Sequence, residues 1–134
     1  MFTAHRNAER RVFDAIRQAG FSGITLAQAR IAARIGPDGT RLSELAEQAL
    51  ISKQTATHLV DQLERAGYVE RVVDPTDARA RLVRMAPRGE EVIAAARAEE
   101  ARIDEEWTTH IGAPRMRALR ETLTLLREIT DPYA

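Results

Sequence analysis

Cysteine is absent from all 134 residues. That removes a disulfide framework, a thiolate zinc site and a cysteine redox sensor together, and it suits a reducing cytoplasm. Long hydrophobic runs are missing too; none approaches the roughly 20 residues that a bilayer span requires. The opening stretch MFTAHRNAERR is charged where a signal peptide needs an uncharged apolar core, so neither membrane nor export is expected. A glycine-rich phosphate loop and a nucleophile elbow are also lacking, which predicts that the chain is not an enzyme. The histidines His5, His58 and His110 stand too far apart for a ligand pair, so no metal and no cofactor are expected. Net charge is zero, which at first argues against nucleic acid.

What is present is ordinary: 44% apolar and 30% charged residues, the balance of a single soluble globular domain. The charge is unevenly spread. Residues 1–52 carry seven Lys/Arg against five Asp/Glu, 53–88 again seven against five, and 89–134 six against ten. A mildly basic middle thus precedes an acidic end. A mixed surface would read the same way, so position has to decide.

Ala8, Val12, Ile16 and Ala19 recur at helical spacing and predict an amphipathic helix over 5–19, closed by Gly20. Thr25 and Gln28 form a capping box for a second, Ala-rich helix reaching about residue 35, and Gly36-Pro37-Asp38-Gly39 breaks the chain. Leu42, Leu45, Ala46 and Ala49 mark a helix over 42–50. Ile51 plugs the turn after it, and Ser52 caps the next helix, 53–66, whose inward residues are Ala56, Leu59, Val60 and Leu63. Gly67 ends that helix as a left-handed C-cap. Residues 68–73 are β-branched and partly alternating, Asp74-Pro75-Thr76-Asp77 is turn chemistry, and 81–85 is the returning strand. Pro87 suits the first turn of a helix over 88–109, and a last helix spans 114–130. The sum is a mainly α fold with a small β-hairpin wing on a helix-turn-helix.

The outward face of the 53–66 helix offers Lys53, Gln54, Thr57, His58 and Asp61. A helix with short polar side chains at its start can enter the major groove, where base edges are distinguishable. Gln54 suits a bidentate contact to adenine, Thr57 a thymine methyl group or a base edge, and Lys53 a phosphate or guanine. Alone, these residues equally describe the solvated side of an amphipathic helix. The hairpin tilts the balance, because Arg79 and Arg81 sit on a projecting ribbon suited to the negative minor groove. Asp77 either holds the turn or pairs with Arg79.

Residues 42–83 resemble the winged helix-turn-helix of the MarR family of bacterial transcriptional regulators. The resemblance is carried by Leu45-Ala46, Ser52-Lys53-Gln54-Thr55, Leu59-Val60-Asp61-Gln62-Leu63-Glu64, Gly67-Tyr68-Val69-Glu70-Arg71 and Asp74-Pro75-Thr76-Asp77-Ala78-Arg79. It implies recognition-helix roles for Ser52, Gln54, Thr57 and His58, with Lys53 and Thr55 beside them, and wing roles for Asp77 and Arg79. Three positions depart from the family pattern. Leu50 replaces a glycine, which predicts a more helical turn. His58 replaces an arginine, and Ala86 a capping threonine.

The resemblance also implies a homodimer in which N- and C-terminal helices interlock, with the dimer presenting two recognition helices to a pseudo-palindromic site on double-stranded DNA. Val12, Ile16, Met116, Leu119, Leu123 and Leu126 supply the apolar seams, although packing inside one chain would use them as well. The expected division is 1–22 for N-terminal dimerisation, 23–89 for the winged unit and 90–134 for C-terminal dimerisation. A cytoplasmic repressor relieved by a small aromatic effector is implied, with Trp107 and His110 as cleft-lining candidates, although a tryptophan on an apolar stripe is more often core. A winged module that binds protein instead of DNA is the alternative.

Overall fold

A computed structural model describes residues 1–133. The order is α1 (Phe2–Gln18), α2 (Leu26–Ala32), β1 (Thr40–Arg41), α3 (Leu42–Ala49), α4 (Lys53–Arg65), β2 (Val69–Asp74), β3 (Asp77–Met85), α5 (Pro87–Ile111) and α6 (Ala113–Thr130). The helices α2, α3 and α4 pack into a small bundle. Their core is Ile24, Ile31, Leu45, Ala46, Ala56, Val60 and Leu63, completed by Tyr68 and Val69 of the β2 edge and Val83 of β3. Leu45, Ala56 and Val60 are wholly buried, so the apolar stripes of α3 and α4 face each other as their spacing predicts.

The three strands are antiparallel in the order β1-β3-β2. Sequence reading misses β1, since two residues carry no alternation and Thr40 and Arg41 become a strand only by pairing with Val83 and Leu82. The returning strand also starts earlier than expected, at Asp77. Pairing runs evenly from Val69↔Met85 to Val73↔Arg81 and then jumps to Asp74↔Asp77, so residues 78–80 are left over and push the tip outward. Helix α2 is shorter than expected. It stops at Ala32, and Arg34 and Ile35 continue only as tight turns on the carbonyls of Ile31 and Ala32.

Local capping explains the boundaries. Thr25 Oγ1 accepts from the Gln28 N–H and Gln28 Oε1 accepts from the Thr25 N–H, the reciprocal box read from the sequence. Helix α4 ends in a Schellman motif. The Gly67 N–H donates to the Glu64 carbonyl and the Tyr68 N–H to that of Leu63, with Gly67 at φ +81°. The same motif closes α3, but with Leu50 in the left-handed position at φ 55°. The Leu50 N–H reaches the Glu47 carbonyl and the Ile51 N–H that of Ala46. The expectation of a more helical turn is therefore corrected. The left-handed geometry persists without glycine, at a cost of about 1 kcal/mol, and it turns the Leu50 side chain out to solvent, 92% exposed.

Helix α5 is a 25-residue rod that leaves the wing and runs along α1. Arg11 of α1 reaches Glu99 and Glu106 on it, at 3.1 and 2.9 Å. Helix α6 folds back against α5, where Arg120 pairs with Asp104. Of the six seam residues read from the sequence, Ile16 and Met116 are buried within this chain, and Val12 is half-buried against its core. Leu119, Leu123 and Leu126 stay over 40% exposed, joined by Leu125 and Ile129.

Candidate nucleic-acid interface

Ser52 starts the interface by fixing where α4 begins. Its Oγ accepts from the Thr55 N–H at 3.0 Å and shares a 2.8 Å hydrogen bond with Thr55 Oγ1. Both hydroxyls are thus occupied with capping, and they aim the first turn of α4 at solvent. Lys53, Gln54 and His58 are exposed along that turn and the next. Thr57 is half-buried, and its hydroxyl donates to the Lys53 carbonyl at 2.8 Å. A hydroxyl proton committed to its own helix leaves Thr57 offering a methyl group and a lone pair.

The wing is anchored from below by a group that sequence reading passed over. Asp74, taken there as turn chemistry, is the one charged side chain buried among the described residues. Its Oδ1 accepts from the Thr76 N–H and hydroxyl at 2.8 and 2.7 Å, and its Oδ2 takes Nε and Nη2 of Arg41 at 3.0 and 2.8 Å. Arg41 lies 33 positions earlier in the chain, so no local spacing announces the pair. The Thr76 donors, followed by Arg41, hold the Asp74 carboxyl down at about 2.

Asp74 gives a pH prediction. A carboxyl whose folded value lies below its ordinary 3.8 stabilises the fold above that value, and the stabilisation disappears as pH falls through about 2. Protection of the hairpin-tip amides against exchange, taken relative to their intrinsic rates, should therefore fall across this acid window in the native chain. In Asp74→Asn the step should vanish, and the tip should already exchange faster at neutral pH. An unchanged acid step in the variant would assign it to another group.

At the tip, Asp77 Oδ1 accepts from the Arg79 N–H at 3.0 Å, the turn-holding alternative of the two offered by the sequence; Asp77 forms no ion pair with the Arg79 side chain. The cations of the winged segment sort into three groups, one of which, Arg65 and Arg88, donates to the backbone carbonyls of Asp61 and Ala66. Arg41, Arg71 and Arg84 are held by acids, with Arg71 bridging Asp61 and Glu64 of α4 at 2.6 and 2.7 Å, and Arg84 on Glu70 at 2.6 Å. Lys53, Arg79 and Arg81 are exposed and have no acidic partner among the described residues. Held cations build the winged unit, and free ones project from the start of α4 and from the wing.

A second concavity lies between α1, α2, α5 and α6. Its volume is about 830 Å³, and Val12, Phe13, Ile24, Val92, Trp107 and Leu119 are among its mostly apolar lining. Trp107 is half-buried along its wall, whereas His110 is exposed and does not line this cleft.

The arrangement defines a winged helix-turn-helix protein: α3 and α4 joined by a tight turn, with a hairpin beside them. A model of the MarR family matches residues 22–80. The HTH-type transcriptional regulator BilQ of Clostridioides difficile (strain CD3) is 30% identical over 70 residues, which is 52% of this chain and 45% of that relative. The chain thus spans under half the length of this curated relative. The transcriptional regulator Tm0710 of Thermotoga maritima superposes with a TM-score of 0.65 at 29% identity, covering 92% of this chain and 86% of that one. The fold is also that of the transcriptional repressor CouR bound to a 23-mer DNA duplex, with a TM-score of 0.67 at 21% identity, covering 92% and 87%. Over the winged unit the chain is thus similar to the MarR family.

Proposed function

We propose that the chain is a DNA-binding transcriptional regulator acting as a cytoplasmic homodimer, a repressor that occupies a two-fold symmetric site. One observation carries this reading. The start of α4 and the tip of the wing expose Lys53, Arg79 and Arg81 without acidic partners, beside Gln54 and His58, while Arg41, Arg71 and Arg84 are consumed by ion pairs. Groove-reading polar groups flanked by unneutralised cations are what DNA recognition requires. The CouR fold neighbour is bound to DNA, which supports the same use of these elements. No helix among the described residues is long and apolar enough to cross a membrane.

The dimer reading rests on the apolar residues of α6 that this chain leaves uncovered, and the winged unit 23–89 would then hang between terminal helices that pair. Exposed contiguous apolar surface of that kind marks an interaction site. The apolar cleft beside Trp107 has a volume suited to a small aromatic effector. Binding, with no catalysis, is the proposed activity.

Selection of bound duplexes from a random pool tests this. The expected product is a palindromic site whose half-sites lie about one helical turn, roughly 34–36 Å, apart. Absence of enrichment would favour a protein-binding winged module. Repeating the selection with Gln54→Ala should cost roughly 1–3 kcal/mol at one base position per half-site. A uniform loss across sequences would instead make Gln54 a backbone contact.

A further inference from the structure

A chain of side-chain hydrogen bonds runs from the N-terminus of α2 to the exposed face of α4. It begins at a donor whose chemistry is unambiguous, the backbone N–H of Thr25. That group donates to Gln28 Oε1 at 3.1 Å. The orientation of the Gln28 amide follows, and its Nε2 donates to Gln62 Oε1 at 2.9 Å. Gln62 is oriented in turn, and its Nε2 lies 3.2 Å from Nε2 of His58. An amide nitrogen donates and does not accept. His58 Nε2 must therefore accept, which requires a neutral ring with its proton on Nδ1.

We propose that Gln28 and Gln62 are positioning residues for base readout. They fix His58 in the Nδ1–H form, so that it offers DNA one donor and no acceptor, and thereby favour a base edge that only accepts, guanine or thymine. This rests on the reading of α4 as a recognition helix. Guanine (N7 and O6) and thymine (O4) present acceptors and no donor in the major groove, whereas adenine and cytosine each present an amino group. A ring free to change tautomer would meet an amino group as readily as a carbonyl. Here the lone pair that would accept from that amino group is already taken by Gln62. Gln28 is buried, with 9% of its surface exposed, so the first part of the relay is shielded from competing water. His58 itself is exposed on the outward face of α4.

The test has two arms. In the free protein, long-range ¹H–¹⁵N correlation spectra of the imidazole, recorded well above the pH at which histidine titrates, report which nitrogen carries the proton. The native chain should show His58 protonated on Nδ1. Gln28→Ala should move it toward the Nε2–H form that an unconstrained ring favours. Gln62→Glu, which presents an acceptor in place of the donor, should place a proton on Nε2. A native spectrum dominated by Nε2–H, or one indifferent to both substitutions, would overturn the relay. A purely structural role for Gln28 in capping α2 would leave the tautomer unmoved.

In the second arm, random-pool selection with the native chain should enrich guanine or thymine about fivefold over adenine and cytosine at one position per half-site, the worth of one hydrogen bond. His58→Ala should lose that preference, and Gln62→Glu should transfer it to the amino-bearing bases, adenine or cytosine. Native enrichment that Gln62→Glu leaves unchanged would sink the readout claim while the DNA-binding function stands. No enrichment by the native chain would remove both, leaving the spectra to report the relay alone.

Discussion

Gly89→Ala is expected to lower stability by on the order of 3 kcal/mol, at the upper end of what an overpacked position costs. A Cβ at residue 89 would lie 2.1 Å from the Tyr68 carbonyl oxygen and 3.1 Å from the Met85 sulfur. The methionine can yield, but the carbonyl belongs to backbone and cannot. That carbonyl also accepts from the Ala86 N–H at 3.0 Å, so moving α5 away to admit the methyl group breaks the hydrogen bond that seats its first turn. Alanine improves helix propensity over glycine by about 1 kcal/mol, too little to compensate. Thermal unfolding should show a midpoint lower by roughly 10 °C. Gly23→Ala is the control. Nothing lies within 4 Å of an added Cβ there, and its midpoint should hold. A Gly89→Ala protein as stable as the native chain would mean that α5 and the start of the wing slide freely past one another.

The largest functional effect is expected from Arg79→Ala combined with Arg81→Ala. Both side chains are exposed on the wing and lack acidic partners, so their removal disturbs no ion pair of the fold. A dimer would lose four cations. If each neutralises one phosphate, the plot of log affinity against log salt should flatten by roughly 3.6 (about 0.9 per contact), with a loss of a hundredfold or more in affinity at about 0.1 M salt. Binding titrations across a salt series measure both quantities. Replacing the structural cation Arg84, which is held by Glu70, should leave the slope near its native value. An unaltered slope in the double variant would show that the wing does not meet DNA.

Much of the fold was legible because its signals are local. The Thr25–Gln28 box, Ser52 before α4, Gly67 after it and Pro87 at the head of α5 each act within a turn of their own position, and the structure has each in that role. What escaped is non-local. Strand β1 exists because β3 passes beside it, and Asp74 is held by an arginine from the other side of the helix-turn-helix. Leu50 misled for a different reason. Glycine is preferred at a left-handed cap, but the two hydrogen bonds of the motif outweigh the strain of a larger residue. On the candidate interface, spacing located the outward face of α4, yet it could not separate cations held by acids from those left free. Asp61, read as part of the outward face, belongs with Arg71 in the scaffold. The Gln62–His58 spacing of four is visible in the chain, whereas Gln28, 34 positions before Gln62, joins them only after folding.

The length of α5 has a mechanical consequence. Its first turn is pinned on the Tyr68 carbonyl at Gly89, and its 25 residues extend about 37 Å to where α6 turns back. A rod pivoted at one end is a lever with high gain. Tilting α5 by about 5° at Gly89 swings its far end by roughly 3 Å over that length. Run in reverse, a shift of a few ångströms near Trp107 becomes only a small rotation at the base of the wing. The wing is therefore geared down relative to the far end of the helix, which favours fine angular adjustment of its tip over large excursions.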